Sequence, residues 1–190
     1  MIETELGKLR RSHYSDDLTA SMDGTQVTVM GWVLTVRGHG NISFATVRDK
    51  NGDLSIVAKK GDCPDEIREK ISSLKAHSSI GVTGTIKASE KAPSGFEIIP
   101  TELRVFSEVT TIPPFEPTAK TVKNIDTRLE VRPIDLRRNI LQHVFKTRSL
   151  VLKTIRDYFN DQNFVEINTP KMIATATEGG AALFPIFYYN

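Results

Sequence analysis

The sequence predicts a mainly β N-terminal domain, a five-stranded barrel with one helix, followed by the start of an α+β domain. Apolar residues alternate with polar or small ones in several runs between residues 26 and 106, which is the period of half-buried strands. Prolines cluster at residues 113–117. Beyond residue 136 the apolar period lengthens to three or four residues, as in an amphipathic helix.

The predicted barrel begins with a long strand that starts at Gln26 and ends before the glycines at positions 38 and 40. A second strand covers Ile42–Arg48. Asp49–Gly52 contains an Asn-Gly pair, which joins antiparallel strands in tight hairpins. Leu54–Lys59 then returns as the third strand, so the first three strands form a meander.

One helix and two further strands complete the barrel. Pro64 suits the first turn of a helix, and the apolar residues after it share one face. The last two strands are predicted over Ile80–Ala88 and Gly95–Phe106, with a bend at Pro100 because proline removes a ladder donor. This element order is that of an OB-fold, a barrel that commonly binds oligonucleotides. A small barrel of another kind would give a similar order of elements.

Residues 109–136 predict an interdomain hinge rather than a packed element, because they are rich in proline and charge and only weakly periodic. From Leu136 a long amphipathic helix is expected. Asn163 ends it, since asparagine tolerates the left-handed backbone of many helix C-termini. A strand over Phe164–Ile167 is expected to follow and to lead to Pro170.

Composition excludes several classes of protein. With 39% hydrophobic and 25% charged residues and no long apolar run, the composition predicts a globular protein without a membrane span. Its N-terminus lacks the apolar region of a secretory signal, so a cytoplasmic location is expected. One cysteine and four scattered histidines predict neither a disulfide nor a metal site. A basic stretch between Thr118 and Asn160 fits either a solvated helix face or a phosphate-facing surface.

Two segments near the C-terminus carry a resemblance to a known family. NFVEINTPKM, residues 163–172, follows the predicted long helix and resembles motif 1 of class II aminoacyl-tRNA synthetases. That resemblance implies a homodimer whose interface includes Pro170. ATATEGGAALFP, residues 174–185, resembles the aspartate-side loop of aspartyl-tRNA synthetases. There it implies that Glu178 binds the α-ammonium group of aspartate, beside Gly179 and Gly180, although Glu178 could also be an ordinary turn residue.

Three upstream segments resemble the same family, aspartyl-tRNA synthetases of the archaeal and eukaryotic type: DTRLEVRPIDLRR at residues 126–138, GWVLTVRGHGNISFATVRD at 31–49 and GFEI at 95–98. The resemblance implies an OB-fold anticodon-binding domain over 11–108, a hinge over 109–135 and the start of a class II catalytic domain over 136–190. It implies an aspartate–tRNA ligase that uses ATP and Mg²⁺ to form aspartyl-adenylate, with tRNA, aspartate and a second copy of the chain as partners.

The same resemblance assigns anticodon contacts to the barrel. Phe44 would stack on a base, Arg37 would contact the anticodon stem-loop, and Glu97 would bind a base edge. A core position for Phe44, and solvated strand ends for Arg37 and Glu97, are the structural alternatives. Ser55 stands where many relatives have a glutamine that reads the middle anticodon base. Pro93 resembles relatives that also charge asparagine tRNA, whereas Leu34 fits neither specificity type.

Other departures concern the aminoacylation half. Ala181 and Ala182 replace residues that are usually polar, and Asn163 replaces the usual first glycine of motif 1. The segments that hold ATP in this family are not in the sequence, so no catalytic residue is assigned and the chain alone is expected to be inactive. A non-catalytic tRNA-binding paralogue and an asparaginyl-tRNA synthetase are the alternatives, and the EGG loop disfavours the latter.

Overall fold

The computed structural model describes residues 2–3, 6–119, 121–170 and 172. Two compact units are separated between residues 112 and 113. No helix in the described ranges is both long and apolar enough to cross a membrane.

The first unit is a closed barrel whose strand order confirms the predicted OB-fold. Strand β1 (Ile2–Glu3) precedes the barrel strands, which are β2 (Gln26–His39), β3 (Ile42–Arg48), β4 (Asp53–Lys59), β5 (Ser79–Ala88) and β6 (Phe96–Ser107). The sheet order is β1-β6-β4-β3-β2-β5, and pairing of β5 with β6 closes the ring. β1, which the sequence did not predict, adds to β6 in parallel.

The barrel interior is filled by the inward residues of each strand. Fully buried side chains include Val29, Val33, Ile56, Ile80 and Ile98. Helix α1 (Asp65–Ser73) lies between β4 and β5, as predicted from Pro64, and its Ile67 and Ile71 are completely buried in the same core. The apolar surface of this unit is therefore covered by the unit itself.

Two features adjust the pairing of the long strands. Gly31 passes so close to β3 that a Cβ there would lie 2.3 Å from the carbonyl oxygen of Arg48, which only a glycine tolerates. The expected irregularity at Pro100 is present as a register shift, since Thr83 pairs with Glu102 and Gly84 with Pro100, which leaves one extra residue on β6.

The turn between β3 and β4 is organised by the buried carboxylate of Asp49. Asp49 accepts hydrogen bonds from the Ser15 amide and hydroxyl, both at 2.7 Å, and from the Asn51 and Gly52 amides at 2.8 and 3.0 Å. Burial acts to raise the pKa of Asp49, but these hydrogen bonds outweigh it and hold the pKa below its usual value.

The second unit corrects the expectation that the segment before residue 136 lacks a packed element. Helices α2 (Ile125–Glu130) and α3 (Arg132–Asp135) lie in it. The Asp135 carboxylate is fully buried; Arg128 donates to it at 2.9 Å and Arg132 at 2.5 Å, and the Arg138 guanidinium lies 3.9 Å away. Burial opposes the charge of Asp135, yet the arginines keep its pKa below the ordinary value.

Helix α4 (Asn139–Asp161) starts three residues later than the expected Leu136. Asn163 has φ +64°, which agrees with its predicted role in ending the helix. The expected strand over Phe164–Ile167 is wrong, because these residues form no strand within the part of the chain that the structure describes. Apart from Leu141 and Gln142, which are partly buried, every side chain of α4 is exposed.

Candidate nucleic-acid interface

Phe44 lies on the outer face of the barrel. On β3 its neighbours Ser43 and Ala45 are each only 2% exposed, whereas Phe44 is 38% exposed. Side chains alternate across a strand, so the burial of residues 43 and 45 turns Phe44 outward. The alternative that Phe44 is a core residue is therefore wrong.

A β-bulge in β2 places further side chains on this outer face. Val33 pairs with Val47 and Thr35 with Thr46, so Leu34 is the extra residue between the two pairs. A bulge shifts the alternation of the strand by one residue. Thr35 and Arg37 consequently face outward, and Arg37 lies directly opposite Phe44 on the neighbouring strand.

A groove of about 560 Å³ runs over this face. It brings together all five residues to which anticodon contacts were assigned from the sequence. Three strands of the meander form its floor, and the loop between β5 and β6 forms one wall. The predicted residues that line it are Arg37, Phe44, Ser55, Pro93 and Glu97.

The groove also contains residues that sequence reasoning did not assign. His39 and Lys91 lie at it, so that the cations Arg37 and Lys91 and one histidine accompany the single carboxylate of Glu97. A surface with this excess of positive groups attracts phosphate. Lys91 precedes Pro93 in the β5–β6 loop, and this proximity in sequence was the only available signal for it.

A row of hydroxyl groups crosses the groove floor beside Phe44. Thr35 on β2 pairs with Thr46 on β3, and Thr46 pairs with Ser55 on β4. The Thr35 hydroxyl donates a hydrogen bond to the Thr46 hydroxyl at 3.2 Å. Ile56 pairs with Ile98, so the residues just before them, Ser55 and Glu97, sit side by side at the end of the row.

A larger depression, of about 760 Å³, lies elsewhere on the barrel and contains none of the predicted residues. Tyr14 lines it between two cations, with the Arg11 guanidinium 4.4 Å and the Lys50 ammonium 4.0 Å from the ring centroid. The ring is thus already engaged by the barrel's own side chains. We assign the candidate interface to the groove around Phe44.

The residues assigned to aspartate, Glu178, Gly179 and Gly180, lie outside the described part of the chain, as do Ala181 and Ala182. Pro170, assigned to the dimer interface, is described and exposed. It follows α4, whose apolar residues are 43–63% exposed: Ile140, Val144, Phe145, Leu150, Val151, Leu152, Ile155, Tyr158 and Phe159.

Comparison with known proteins identifies the family. Residues 27–106 match a model of the OB-fold nucleic acid binding domain, and residues 124–189 match a model of class II tRNA synthetases (D, K and N). The aspartate–tRNA(Asp/Asn) ligase of Methanocaldococcus jannaschii is 46% identical over 96% of this chain, and that of Methanothermobacter thermautotrophicus is 45% identical over 97%. The chain matches the N-terminal portion of aspartyl-tRNA synthetases. It spans 42% of the length of each of these two relatives.

Solved structures agree with this match. Asparaginyl-tRNA synthetase from Pyrococcus horikoshii, complexed with asparaginyl-adenylate, is 28% identical, with a TM-score of 0.84 over 95% of this chain and 41% of that one. Aspartyl-tRNA synthetase from Entamoeba histolytica is 26% identical, with a TM-score of 0.78 over 90% of this chain and 41% of that one. The resemblance inferred from the sequence motifs is confirmed, and the chain corresponds to the N-terminal portion of the synthetases.

Proposed function

We propose that this chain provides the anticodon-binding part of an aspartate–tRNA ligase, which joins aspartate to tRNA through aspartyl-adenylate. The observation that carries the proposal is the groove in which Arg37, Phe44, Ser55, Pro93 and Glu97 converge. These residues come from four strands and one loop, and the sequence resemblance assigns an anticodon contact to each of them. The names of the relatives support the same reaction.

In this proposal the exposed ring of Phe44 is the platform for one anticodon base. Stacking on an aromatic side chain accepts any base and contributes about 1–3 kcal/mol. Arg37, opposite Phe44 on β2, supplies a guanidinium for the phosphates of the stem-loop. Glu97 at the far side of the groove accepts hydrogen bonds from a base edge. Selectivity then comes from the polar side chains around a sequence-tolerant platform.

The aminoacylation half of the proposal rests on the sequence. A carboxylate at Glu178 makes a charge-assisted bond to the α-ammonium of aspartate, and Gly179 and Gly180 let the backbone approach the substrate. ATP and Mg²⁺ would supply adenylate formation in the complete synthetase. Within the described ranges, no three His, Cys, Asp or Glu side chains are grouped so as to hold a metal ion. We therefore assign no catalytic step that involves ATP or Mg²⁺ to the described residues. A cytoplasmic location follows from a role in protein synthesis.

Binding of tRNA to the chain tests the proposal. Phe44→Ala should weaken binding of aspartate tRNA by about 1–3 kcal/mol, which is roughly 5- to 150-fold. Trp32→Ala is the matched control, because Trp32 is exposed to a similar extent (36% against 38%) on the same barrel but outside the groove. Equal losses from both substitutions, or no loss from Phe44→Ala, would contradict an anticodon site at this groove.

We further propose that the barrel accepts the tRNAs of both aspartate and asparagine. The names of two relatives include both tRNAs, and Pro93 lines the groove without a backbone N–H that could discriminate between bases. Affinities for the two tRNAs should therefore lie within about tenfold, or 1.4 kcal/mol. Pro93→Ala, which restores the N–H, should widen the ratio, and Glu90→Gln, in the same loop but outside the groove, should leave it unchanged. A preference above a hundredfold in the unaltered chain would contradict this proposal.

We propose that α4 and Pro170 form a homodimer interface. The exposed apolar side chains of α4 need a covering surface, and motif 1 of the family supplies one by pairing two copies. Sedimentation should show a dimer that Ile155→Asp dissociates. Lys146→Asp should leave the dimer intact, because Lys146 lies nine residues, or about two and a half turns, from Ile155 and so on the opposite side of the helix. A monomeric unaltered chain at high concentration would contradict a dimer made by these residues alone.

A further inference from the structure

The row of hydroxyl groups beside Phe44 has no role in the assignments made so far. Thr35, Thr46 and Ser55 are consecutive cross-strand partners on β2, β3 and β4, and all three line the groove. Ser55 carries a short side chain, so the groove floor beside Thr46 is open to a ligand.

The bulge at Leu34 creates this row. Without a bulge, Leu34 would lie opposite Thr46 and Thr35 would point into the barrel, because inward and outward positions alternate along a strand. With it, Thr35 faces outward and its hydroxyl reaches Thr46. Thr35 donates its only hydroxyl hydrogen to the Thr46 oxygen, so the Thr46 hydrogen is directed elsewhere.

Among the residues that the structure describes, no acceptor is bonded to the Thr46 hydroxyl hydrogen, and the Ser55 hydroxyl has no hydrogen bond. Thr46 is half-buried, and the hydrogen bond that its hydroxyl oxygen accepts from Thr35 orients the hydroxyl group. Phe44 and Thr46 are two residues apart on the same face of β3, a spacing of about 7 Å. A base stacked on Phe44 would direct one edge toward the row.

We propose that Thr46 is a specificity-determining residue that donates a hydrogen bond to a carbonyl oxygen on the edge of the base stacked on Phe44. Thr35 is a positioning residue that orients the Thr46 hydroxyl, and Ser55 and Glu97 complete the polar row beside it. This inference deepens the proposed function and depends on anticodon binding at the groove. It explains how a chain with serine at position 55 retains a short-range polar contact to the base.

The test is titration of the 190-residue chain with an anticodon stem-loop RNA of aspartate tRNA. Thr46→Val removes the hydroxyl but keeps the shape of the side chain, and should weaken binding roughly three- to tenfold, the range of one neutral hydrogen bond. Thr46→Ser should restore most of the affinity. Thr28→Val is the matched control, since Thr28 and Thr83 form a similar cross-strand hydroxyl pair at 3.0 Å that does not line the groove.

Stem-loops that each lack one anticodon base identify the base that Thr46 contacts. The penalty of Thr46→Val should vanish at a single position, the same one at which the penalty of Phe44→Ala vanishes. Thr35→Val should weaken binding in the unaltered chain but have no further effect in the Thr46→Val background, because it acts through Thr46. Thermal melting of each variant checks that the barrel is folded.

Three results would overturn the inference: unchanged binding by Thr46→Val, an equal loss with Thr28→Val, or a Thr46→Val penalty that persists at every abasic position. All three leave the proposed function standing, provided that the unaltered chain binds the stem-loop and Phe44→Ala weakens it. Failure of the unaltered chain to bind would overturn both.

Discussion

The barrel and helix α4 contrast in how they cover apolar surface. The barrel buries its large side chains completely, with Ile56, Ile80 and Ile98 at zero exposure, whereas Ile140 and Ile155 on α4 are 61% and 48% exposed. Both segments are amphipathic in sequence. The barrel closes on itself by pairing β5 with β6, while one helix offers no second layer to pack against. The closed sheet covers its own apolar surface, whereas the exposed apolar side chains of α4 need a further surface to cover them.

The largest effect expected from this contrast is in amide hydrogen exchange. Barrel amides exchange through global opening, which costs about 5–15 kcal/mol in ordinary domains. Among the described residues, α4 is mostly exposed, so its amides in a monomer should exchange at least about a thousandfold faster than those of β3 and β5. Amide exchange checks this prediction when it is measured at a protein concentration at which sedimentation shows a monomer. Equal protection of α4 and the barrel under those conditions would break the comparison.

A pair of equivalent truncations gives the next largest effect. Ile98→Ala removes a fully buried side chain and should lower the free energy of unfolding of the barrel by about 2–5 kcal/mol. Ile155→Ala in the monomer should change it by less than about 0.5 kcal/mol. Urea unfolding followed by the fluorescence of Trp32, the only tryptophan of the sequence, reports the barrel transition. A loss from Ile155→Ala that matched the loss from Ile98→Ala would show that the helix shares the barrel's core.

Acid should act on the barrel through Asp49. The pKa of Asp49 in the fold lies below its usual value, so its stabilising effect is present above the unfolded value of about 3.9 and is lost as the pH falls through the folded pKa. Asp49→Asn should therefore lower the melting temperature at pH 7 and reduce its fall below pH 4.

The exposed ion pair of Asp53 with Arg48 provides the control for this experiment. Asp53→Asn should cost less than about 1 kcal/mol at any pH. An Asp49→Asn variant whose melting temperature parallels that of the unaltered chain across the acid range would contradict the role of the buried carboxylate.

Local patterns predicted much of the barrel. Strand β3 has the predicted limits, and Asn163 takes the left-handed conformation expected of it. The features of the barrel that the sequence did not predict depend on pairing between distant segments. The bulge at Leu34 follows from the register of β2 against β3, and β1 becomes a strand only because β6 lies beside it. The hydrophobic period of one strand contains no information about which strand pairs with it or in which register.

The wrong expectations have the same origin. Phe164–Ile167 has the composition of a strand, but a strand needs a neighbour to satisfy its backbone. The segment before residue 136 was expected to be unpacked because it is charged, yet opposite charges close together in sequence gave it a local core in which arginines surround Asp135. In the candidate site, the resemblance pointed to Arg37, Phe44 and Glu97, whereas the roles proposed for Thr35 and Thr46 depend on cross-strand position that the sequence does not show.

The most direct test of the central claim uses residues 1–112 alone, which form one compact unit with a closed core. This segment should bind aspartate tRNA within about threefold of the affinity of the whole chain. Because Arg37 and Lys91 are the two cations of the groove, the affinity should fall roughly tenfold between 50 and 200 mM salt, as about two phosphate contacts require. Absence of binding by the folded segment at low salt would contradict the claim that the barrel is a self-contained tRNA-binding module.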